Sequence, residues 1–497
     1  MEQIKQNLLA VDQQLIELYA KYAHTMSKPK IISIGVSVAL AMLYWSYRRA
    51  TAPPKHLRHL PYVGPFDLIK SIIRGDSAYE QRRRVIAPLL DKANGFYTMN
   101  MPVGWTIFST NPEANKLILT NMGTRFQRKD LYQKTKQVYG DPSSLVAKFI
   151  GGDHIGTLDG PDWRRHRKIA TPAFSKTLPI QTFGQATLKL IDAINKAGES
   201  PVNINDLMER ITLDIIGLAG FGRMKAHDAM NELSGMIDQL VDERRKECQS
   251  GKSNEQNSRE KDLLTLMLEA EMEGEEKMSN QELRDNVSGF LSAGHDTTSN
   301  ALSYAIYRLG MYKDIQKRTR EEVLEILGDD PVDVIPTAEQ IKEMKYMLHV
   351  IKEASIVLRL DGPLVHSLGR ITTQDSIIAG QLIPANTFIF VDVLATHRDP
   401  NIWENAQQFD PDRYNVKTET LRNSSANGLV WLPFGYGPHQ CLGQNFSLFE
   451  QRVILSMLLR KYEWELVNTA GNEKEMDSYG FIIIIPKEIQ IRFKPRY

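Results

Sequence analysis

The 497-residue sequence contains only two cysteines, Cys248 and Cys441. Two cysteines cannot build the disulfide framework of a small secreted protein, nor close a four-ligand structural zinc site alone. In a reducing compartment a lone thiol is free for ligation or nucleophilic chemistry. A charge surplus is also missing, with 61 Lys and Arg against 60 Asp and Glu, a net +1. A nucleic-acid binder needs a basic surplus or stripe, so no nucleic-acid partner is expected. Glycine (32) and proline (23) are ordinary in number, and 42% of residues are hydrophobic and 24% charged. Collagen-like, low-complexity and wholly disordered chains are thereby excluded. No internal repeat is visible. The length allows one large domain or up to about three smaller ones.

One stretch departs from the globular pattern. Residues 31–47 (IISIGVSVALAMLYWSY) carry no charge. As a helix they rise ~25 Å, slightly less than a ~30 Å hydrocarbon core. Lys28, Lys30, Arg48 and Arg49 flank the run and can snorkel to the interfaces, and Tyr44, Trp45 and Tyr47 suit an aromatic belt. A long polar segment precedes the run and no small-residue cleavage pattern follows, which argues against a removed signal peptide. The expectation is a single transmembrane anchor over 31–47. The near-absence of cysteine favours a cytoplasmic C-terminal body. In residues 1–30, Ile4, Leu8, Val11, Leu15, Leu18 and Tyr22 recur at alternating steps of four and three, the stripe of an amphipathic helix. Ala52-Pro53-Pro54 and Pro61-Tyr62-Val63-Gly64-Pro65 mark 48–65 as a proline-rich hinge, leaving 66–497 as the main domain.

The main domain reads as mainly α within an α+β pattern. Ser279 and Glu282 form a capping-box pair ahead of NVSGFLSAGHDTTSNALSYAIYRL, a long buried helix. The polar stretch 244–262 reads as a surface loop. Strand-like runs come late, at 388–394 and 481–485.

The strongest chemical signal is Phe434-Gly435-Tyr436-Gly437-Pro438-His439-Gln440-Cys441-Leu442-Gly443. Its glycines let the backbone turn tightly and approach a bound group. The helical pattern QNFSLFEQRVILSMLLRKYEW follows. Cys441 is therefore expected at a helix N-terminus, where amide donors and the dipole stabilise a thiolate. Such a thiolate is a soft ligand for haem iron.

With this loop the sequence resembles the cytochrome P-450 family of haem-thiolate monooxygenases, over about residues 60–495, and most closely its fungal microsomal members. The resemblance implies the triangular, mostly helical fold with a smaller β region. It implies haem b with Cys441 as axial ligand to iron, and Phe434 and Gly443 in the haem-binding loop. Ala293-Gly294-His295-Asp296-Thr297-Thr298 matches the oxygen-activation segment. Gly294 weakens the helix, Thr297 can bond a carbonyl one turn back, and Asp296 and Thr297 relay protons. Trp163-Arg164-Arg165-His166-Arg167 matches W-x-x-x-R, so Trp163 and Arg167 face a haem propionate. Arg164, Arg165 and Lys168 read as a solvated basic face that also suits an acidic redox partner. Arg370 and His439 stand where the family places further propionate ligands. Phe290, Ala293, Leu364, Val365, His366, Ser367 and Phe481 are expected to line the substrate pocket, with His366 and Ser367 as polar handles.

Two departures stand out. The family usually has Arg where this chain has His439. A neutral imidazole holds a propionate more weakly, so haem retention is expected to depend on pH. The family's E-x-x-R pair is also stretched, with Glu353 and Arg359 six residues apart. On a regular helix they stand about 240° apart. Three readings stay open: an insertion absorbed as a bulge, an error in the reading frame or splice site, or a crippled fold. Arg413, in Phe409-Asp410-Pro411-Asp412-Arg413-Tyr414, is expected to join Glu353 and Arg359 in a buried network.

The resemblance implies hydroxylation of a lipophilic small molecule (steroid, terpenoid, fatty acid or xenobiotic) with O2 and NADPH-derived electrons. No flavin or nucleotide-binding module follows residue 441, so a separate NADPH-cytochrome reductase, with cytochrome b5 as a second donor, is the expected partner. The expected location is the endoplasmic reticulum membrane, single-pass, with the catalytic domain cytosolic. A haem-thiolate isomerase or dehydratase that uses no O2, and a catalytically impaired haem or lipid binder, are the alternatives.

Overall fold

The computed structural model describes residues 33–40, 42, 44, 51–121, 125–128, 152–175, 178–221, 230–250, 261–274, 276–354, 365–415, 431–467, 478–479 and 484–497. The chain divides into two compact units, Met1–Arg58 and His59–Tyr497. In the first, residues 33–40 are helical and exposed. Among the described residues no helix is long and apolar enough to cross a membrane. The expected helix over 1–30 and part of the 31–47 run lie outside the described residues.

The second unit starts inside the proline-rich stretch. Strand β1 (Tyr62–Val63) pairs in parallel with β2 (Phe96–Met101), which turns back antiparallel into β3 (Gly104–Ser109). With β4 (Phe126–Gln127), β5 (Arg370–Thr372) and β6 (Phe388–Val391) they form a six-stranded sheet in the order β1-β2-β3-β6-β5-β4. Parallel pairing of Thr106 with Phe388 joins β3 to β6. The strand expected over 388–394 stops at Val391, because Asp392 accepts from the Ala395 amide and caps a helix.

The described helices of nine or more residues are α1 (Pro65–Ile73), α2 (Pro112–Thr120), α3 (Gly160–Ser175), α4 (Ile180–Ala197), α5 (Ile204–Phe221), α6 (Met230–Gln249), α7 (Leu263–Glu273), α8 (Asn280–Met311), α9 (Lys313–Leu327), α10 (Lys345–Ala354) and α11 (Gln444–Lys461). Residues 244–249, expected in a loop, complete the last turns of α6. The second unit is thus mostly helical with a small β region.

Helix α8 organises the core. Its N-terminus closes as the spacing predicts: Ser279 Oγ accepts from the Glu282 amide at 3.2 Å, and Glu282 takes the Ser279 amide at 2.8 Å. Its 32 residues run ~48 Å. From Thr298 to Ile306 every residue is buried, the pattern of a helix surrounded by protein rather than one lying on a surface. It packs on α5, and Phe290 meets Phe174 of α3 edge-on at 5.1 Å between ring centroids.

Candidate active site

The loop ahead of α11 is built by backbone. Gly435 and Gly437 have φ of 68° and 76°, and the Gly435 amide donates to Leu432 O at 3.0 Å. The Cys441 amide then donates to Phe434 O at 2.8 Å, folding the loop back on itself. At Gly437 a side chain is barred twice, since a Cβ would also lie 2.8 Å from Leu119 O of α2. Phe434 sits edge-on to Trp431, 6.3 Å between ring centroids, and Gly443 is the N-cap of α11.

Cys441 combines two properties seldom found together. Its surface is exposed, yet protein surrounds it closely enough that burial pushes the thiol up. A group that is deep and open at once stands at the floor of a hollow. The Gly443 amide and Arg167 pull the thiol down, but burial outweighs them. The Gly443 amide at the helix N-terminus acts in the direction expected, against the larger effect of burial. Dipole and amides act within a turn, whereas desolvation acts on the whole charge.

Cations converge beside this floor. Arg167 Nη1 donates to Gln440 O at 2.8 Å, on the residue before Cys441. Arg370, buried on β5, bonds Leu368 O and also Gly369 O at 3.0 Å; burial pulls its guanidinium down to about 10. Arg128 is the residue that sequence reasoning missed. It is buried, and desolvation first, then Arg370 and Arg167, push it well below the usual arginine range. Its amide is held by Asp159, the carboxylate nearest the cluster, and its Nε is buried with no partner. Nothing marks one Arg within QRKD as special in sequence; only the fold carries it to Arg370.

His439 stacks on Trp163 with ring centroids 3.9 Å apart and planes 24° apart. Its Nε2 is 3.6 Å from Asp159 and its Nδ1 is buried without a partner. Burial, then Arg128, Arg370 and Arg167, hold its pKa down to about 2. Burial and these cations favour the neutral imidazole, the form expected to hold a propionate more weakly. Arg165 also differs from expectation. It is no solvated cation but pairs with Glu282 at 2.5 Å and with Lys277 O at 2.7 Å, while Arg164 and Lys168 are exposed.

Helix α8 opens at its middle. Between buried segments, residues 292–297 are partly or fully exposed, and Ala293 most of all. The Thr297 hydroxyl donates to Ala293 O at 2.6 Å. The Asp296 carboxylate, about half exposed, is 2.7 Å from His295 Nδ1. Beyond the opening, Thr298 Oγ1 and Ser447 Oγ meet at 3.1 Å and fasten α8 to α11. The open stretch and the Cys441 loop thus flank one helix junction.

The buried network assembles in part. Arg413 Nε donates to Glu353 Oε1 at 2.6 Å, and the Asp410 amide reaches the same oxygen at 3.1 Å. The remaining guanidinium donors take the carbonyls of Glu404, Asn405 and Gln408. Arg359 lies outside the described residues, as do Leu364 and Phe481. Val365, His366 and Ser367 are placed differently from the reading. Val365 is fully buried in the core. His366 is buried with Arg82 Nη2 at 3.3 Å and the tilted Phe108 ring 4.7 Å away between centroids, and burial lowers it to about 3. Ser367 Oγ takes the Val391 amide at 3.1 Å. These two side chains are engaged by the sheet and its buried cluster, not held free as polar handles.

A sequence model of the cytochrome P450 family matches residues 114–226 and 222–493. The chain is similar to an 11-oxo-beta-amyrin 30-oxidase of Glycyrrhiza uralensis, 28% identical over 422 residues, covering 74% of this chain and 76% of that protein. It is similar to secologanin synthase 1 of Catharanthus roseus, 26% identical over 410 residues, covering 71% and 72%. Over a shorter span, cytochrome P450 4c3 of Drosophila melanogaster is 33% identical over 235 residues, covering 47% and 42%. Among solved structures, the cytochrome P450DA heme domain superposes with a TM-score of 0.69 at 22% identity, covering 90% of this chain and 96% of that one. At that identity the likeness speaks for the fold alone.

Proposed function

The chain belongs to the cytochrome P450 family and is an oxidoreductase, and on that premise we propose that it inserts one oxygen atom of O2 into a C–H bond of a lipophilic small molecule. The balanced reaction is R–H + O2 + NADPH + H+ giving R–OH, H2O and NADP+. The electrons come from a separate NADPH-dependent reductase. The observation that carries the reading is the exposed yet deep Cys441 beside three arginines whose charge burial disfavours, Arg128 being repelled by the other two as well.

That hollow fits haem by its chemistry. A thiol at the floor suits iron, and the orphaned Nε of Arg128 and Nδ1 of His439 suit two propionates. Arg128, Arg167 and Arg370 would supply the charge, and Trp163 fixes His439 by stacking. When bound, haem supplies dioxygen activation, and a thiolate ligand favours O–O cleavage. The chain's own residues handle protons. The Asp296 carboxylate exchanges protons with solvent from its half-exposed position. Its neighbour His295 keeps it aimed along α8. The Thr297 hydroxyl gives up its bond to Ala293 O to accept and pass a proton at Oγ1. Phe290, beside Phe174, and the exposed Ala293 at the opening of α8 would supply an apolar wall for a steroid, terpenoid or fatty-acid skeleton. The 11-oxo-beta-amyrin 30-oxidase and the secologanin synthase among the relatives support a small-molecule substrate.

Residues 31–47 tether the protein to a membrane of the endoplasmic reticulum, with the catalytic unit in the cytosol. The absence of charge over these residues supports the tether. Exposed Arg164 and Lys168 support docking of an acidic reductase.

The test is the reduced, carbon-monoxide difference spectrum of the membrane fraction, followed by turnover with a reductase. The expected result is the red-shifted Soret band of thiolate-ligated haem, lost in Cys441→Ser, and product that requires both NADPH and O2. Product without either would assign the chain to the isomerase or dehydratase class. A band that survives Cys441→Ser would overturn the ligand assignment.

A further inference from the structure

A carboxylate stands among the arginines of the hollow. Asp159 accepts the Arg128 amide, and its Oδ1 is 3.6 Å from His439 Nε2. Its side chain is only 13% exposed. Among the described residues it is the one carboxylate that acts on both Arg128 and Arg370. The turn ahead of α3 fixes its place. His154 O accepts the amides of Thr157 and Leu158, and Thr157 Oγ1 donates to Gly152 O at 3.1 Å. The Asp153 and Ile155 amides donate to Asp285 and Asn286 of α8, each at 3.1 Å. Gly156 O takes Arg128 Nη1 at 3.4 Å. The segment 152–159 therefore grips Arg128 by its amide and by its guanidinium.

A site for two propionates is weakened by a third carboxylate, since like charges repel. Holding the Arg128 amide needs only an acceptor, which Asn or Ser also offers without charge. The charge of Asp159 therefore has to be explained separately from its hydrogen bond. We propose that Asp159 is the counter-charge of the arginine cluster, matching it to a dianion and so setting how tightly haem is held and how readily its iron is reduced. The inference rests on the haem reading proposed above. Arg128, Arg167 and Arg370 bring three positive charges, Asp159 offsets one, and two remain for two propionates. In the haem-free chain Asp159 offsets the repulsion of Arg128 by Arg370 and Arg167. With haem bound, it repels the propionates and opposes an added electron on the iron. Partly buried charges are screened little by salt, so both effects persist at ordinary ionic strength. Asp159 is thus a positioning residue, acting through the propionates rather than on iron or substrate.

The experiment uses the full, haem-loaded chain. Two quantities are measured: the rate of haem transfer to an acceptor globin, and the reduction potential from a spectroelectrochemical titration. Asp159→Asn and Asp159→Ser keep an acceptor for the Arg128 amide and remove the charge. Both are expected to release haem about fivefold more slowly and to shift the potential upward. Asp159→Glu keeps the charge and should keep the potential of the parent. In the double variant Arg128→Gln, Asp159→Asn a cation and an anion leave together. Its release rate should return to within about twofold of the parent. Faster or unchanged release from the Asn and Ser variants makes Asp159 a backbone acceptor only and overturns the proposal. A potential that falls or stays in place overturns it too. A parent chain without the red-shifted carbon-monoxide band overturns the haem reading itself, and this inference with it.

Discussion

Single residues decide whether the cysteine loop can form and what it can hold. Gly437 has no alternative, since its backbone is left-handed and Leu119 O blocks a Cβ at 2.8 Å. Gly437→Ala is expected to cost about 2 kcal/mol or more. The check is thermal unfolding together with the carbon-monoxide spectrum, where the red-shifted band should fall with stability. Gly435, equally left-handed but with open space around it, should tolerate Ala better. Arg128 has the opposite character, because it harms the empty protein and serves the loaded one. Arg370 and Arg167 repel it, and burial disfavours its charge. Arg128→Gln should leave the haem-free protein as stable as the parent or more so. The same change should speed haem transfer to an acceptor globin by about 10-fold or more, the worth of a charge-assisted bond. A slower or unchanged transfer rate would remove Arg128 from the propionate set.

At the scale of elements, two contacts hold helices in place by charge. Glu353, in the last turn of α10, is buried and tied to Arg413 Nε at 2.6 Å. Arg413→Met leaves that carboxylate without its partner and is expected to cost about 3–5 kcal/mol in unfolding experiments. Glu353 therefore has a partner whatever the place of Arg359, and the stretched spacing does not by itself leave a lone buried charge. The start of α8 is held by Glu282, whose pKa falls from 4.5 to about 2, chiefly through its bond to Arg165. A depressed carboxylate stabilises the fold above its unfolded pKa and loses that contribution as pH falls through the folded one. The loss should therefore occur between about pH 4.5 and 2, and remain under about 1 kcal/mol because solvent screens the pair. Glu282→Gln should flatten the melting temperature over that window and lower it slightly at neutral pH. An unchanged acid limb would show that the pair contributes nothing.

At the scale of the whole molecule, the chain divides into two compact units at Arg58. A chain that begins at Thr51 should fold, melt within a few degrees of the full chain and keep the red-shifted carbon-monoxide band. A loss of haem on truncation would mean that the first unit contributes to the hollow. The strand β1 shows why the boundary is not at the last proline of the hinge. Pro61 and Pro65 bracket Tyr62–Val63, and the proline-rich look of the stretch hides a strand that pairs with β2.

The parts of this protein that the sequence determined alone are those set by local rules. The cysteine loop is legible because its turns need glycine at fixed places. The start of α8 is legible because Ser279 and Glu282 satisfy each other's amides three residues apart. Family membership follows from motifs of the same kind. The tertiary structure decided everything that depends on distant neighbours. Arg128 meets Arg370 only through the sheet, where β4 pairs with β5. His366 and Ser367 look like pocket residues by position, yet Arg82 claims the first and Val391 of β6 the second. Burial first, and then three arginines from separate segments, hold the His439 imidazole down, and helix α1 turns its apolar face outward because Leu68 is claimed by the core. Burial and long-range charge are sums over the whole fold, and no window of sequence contains them.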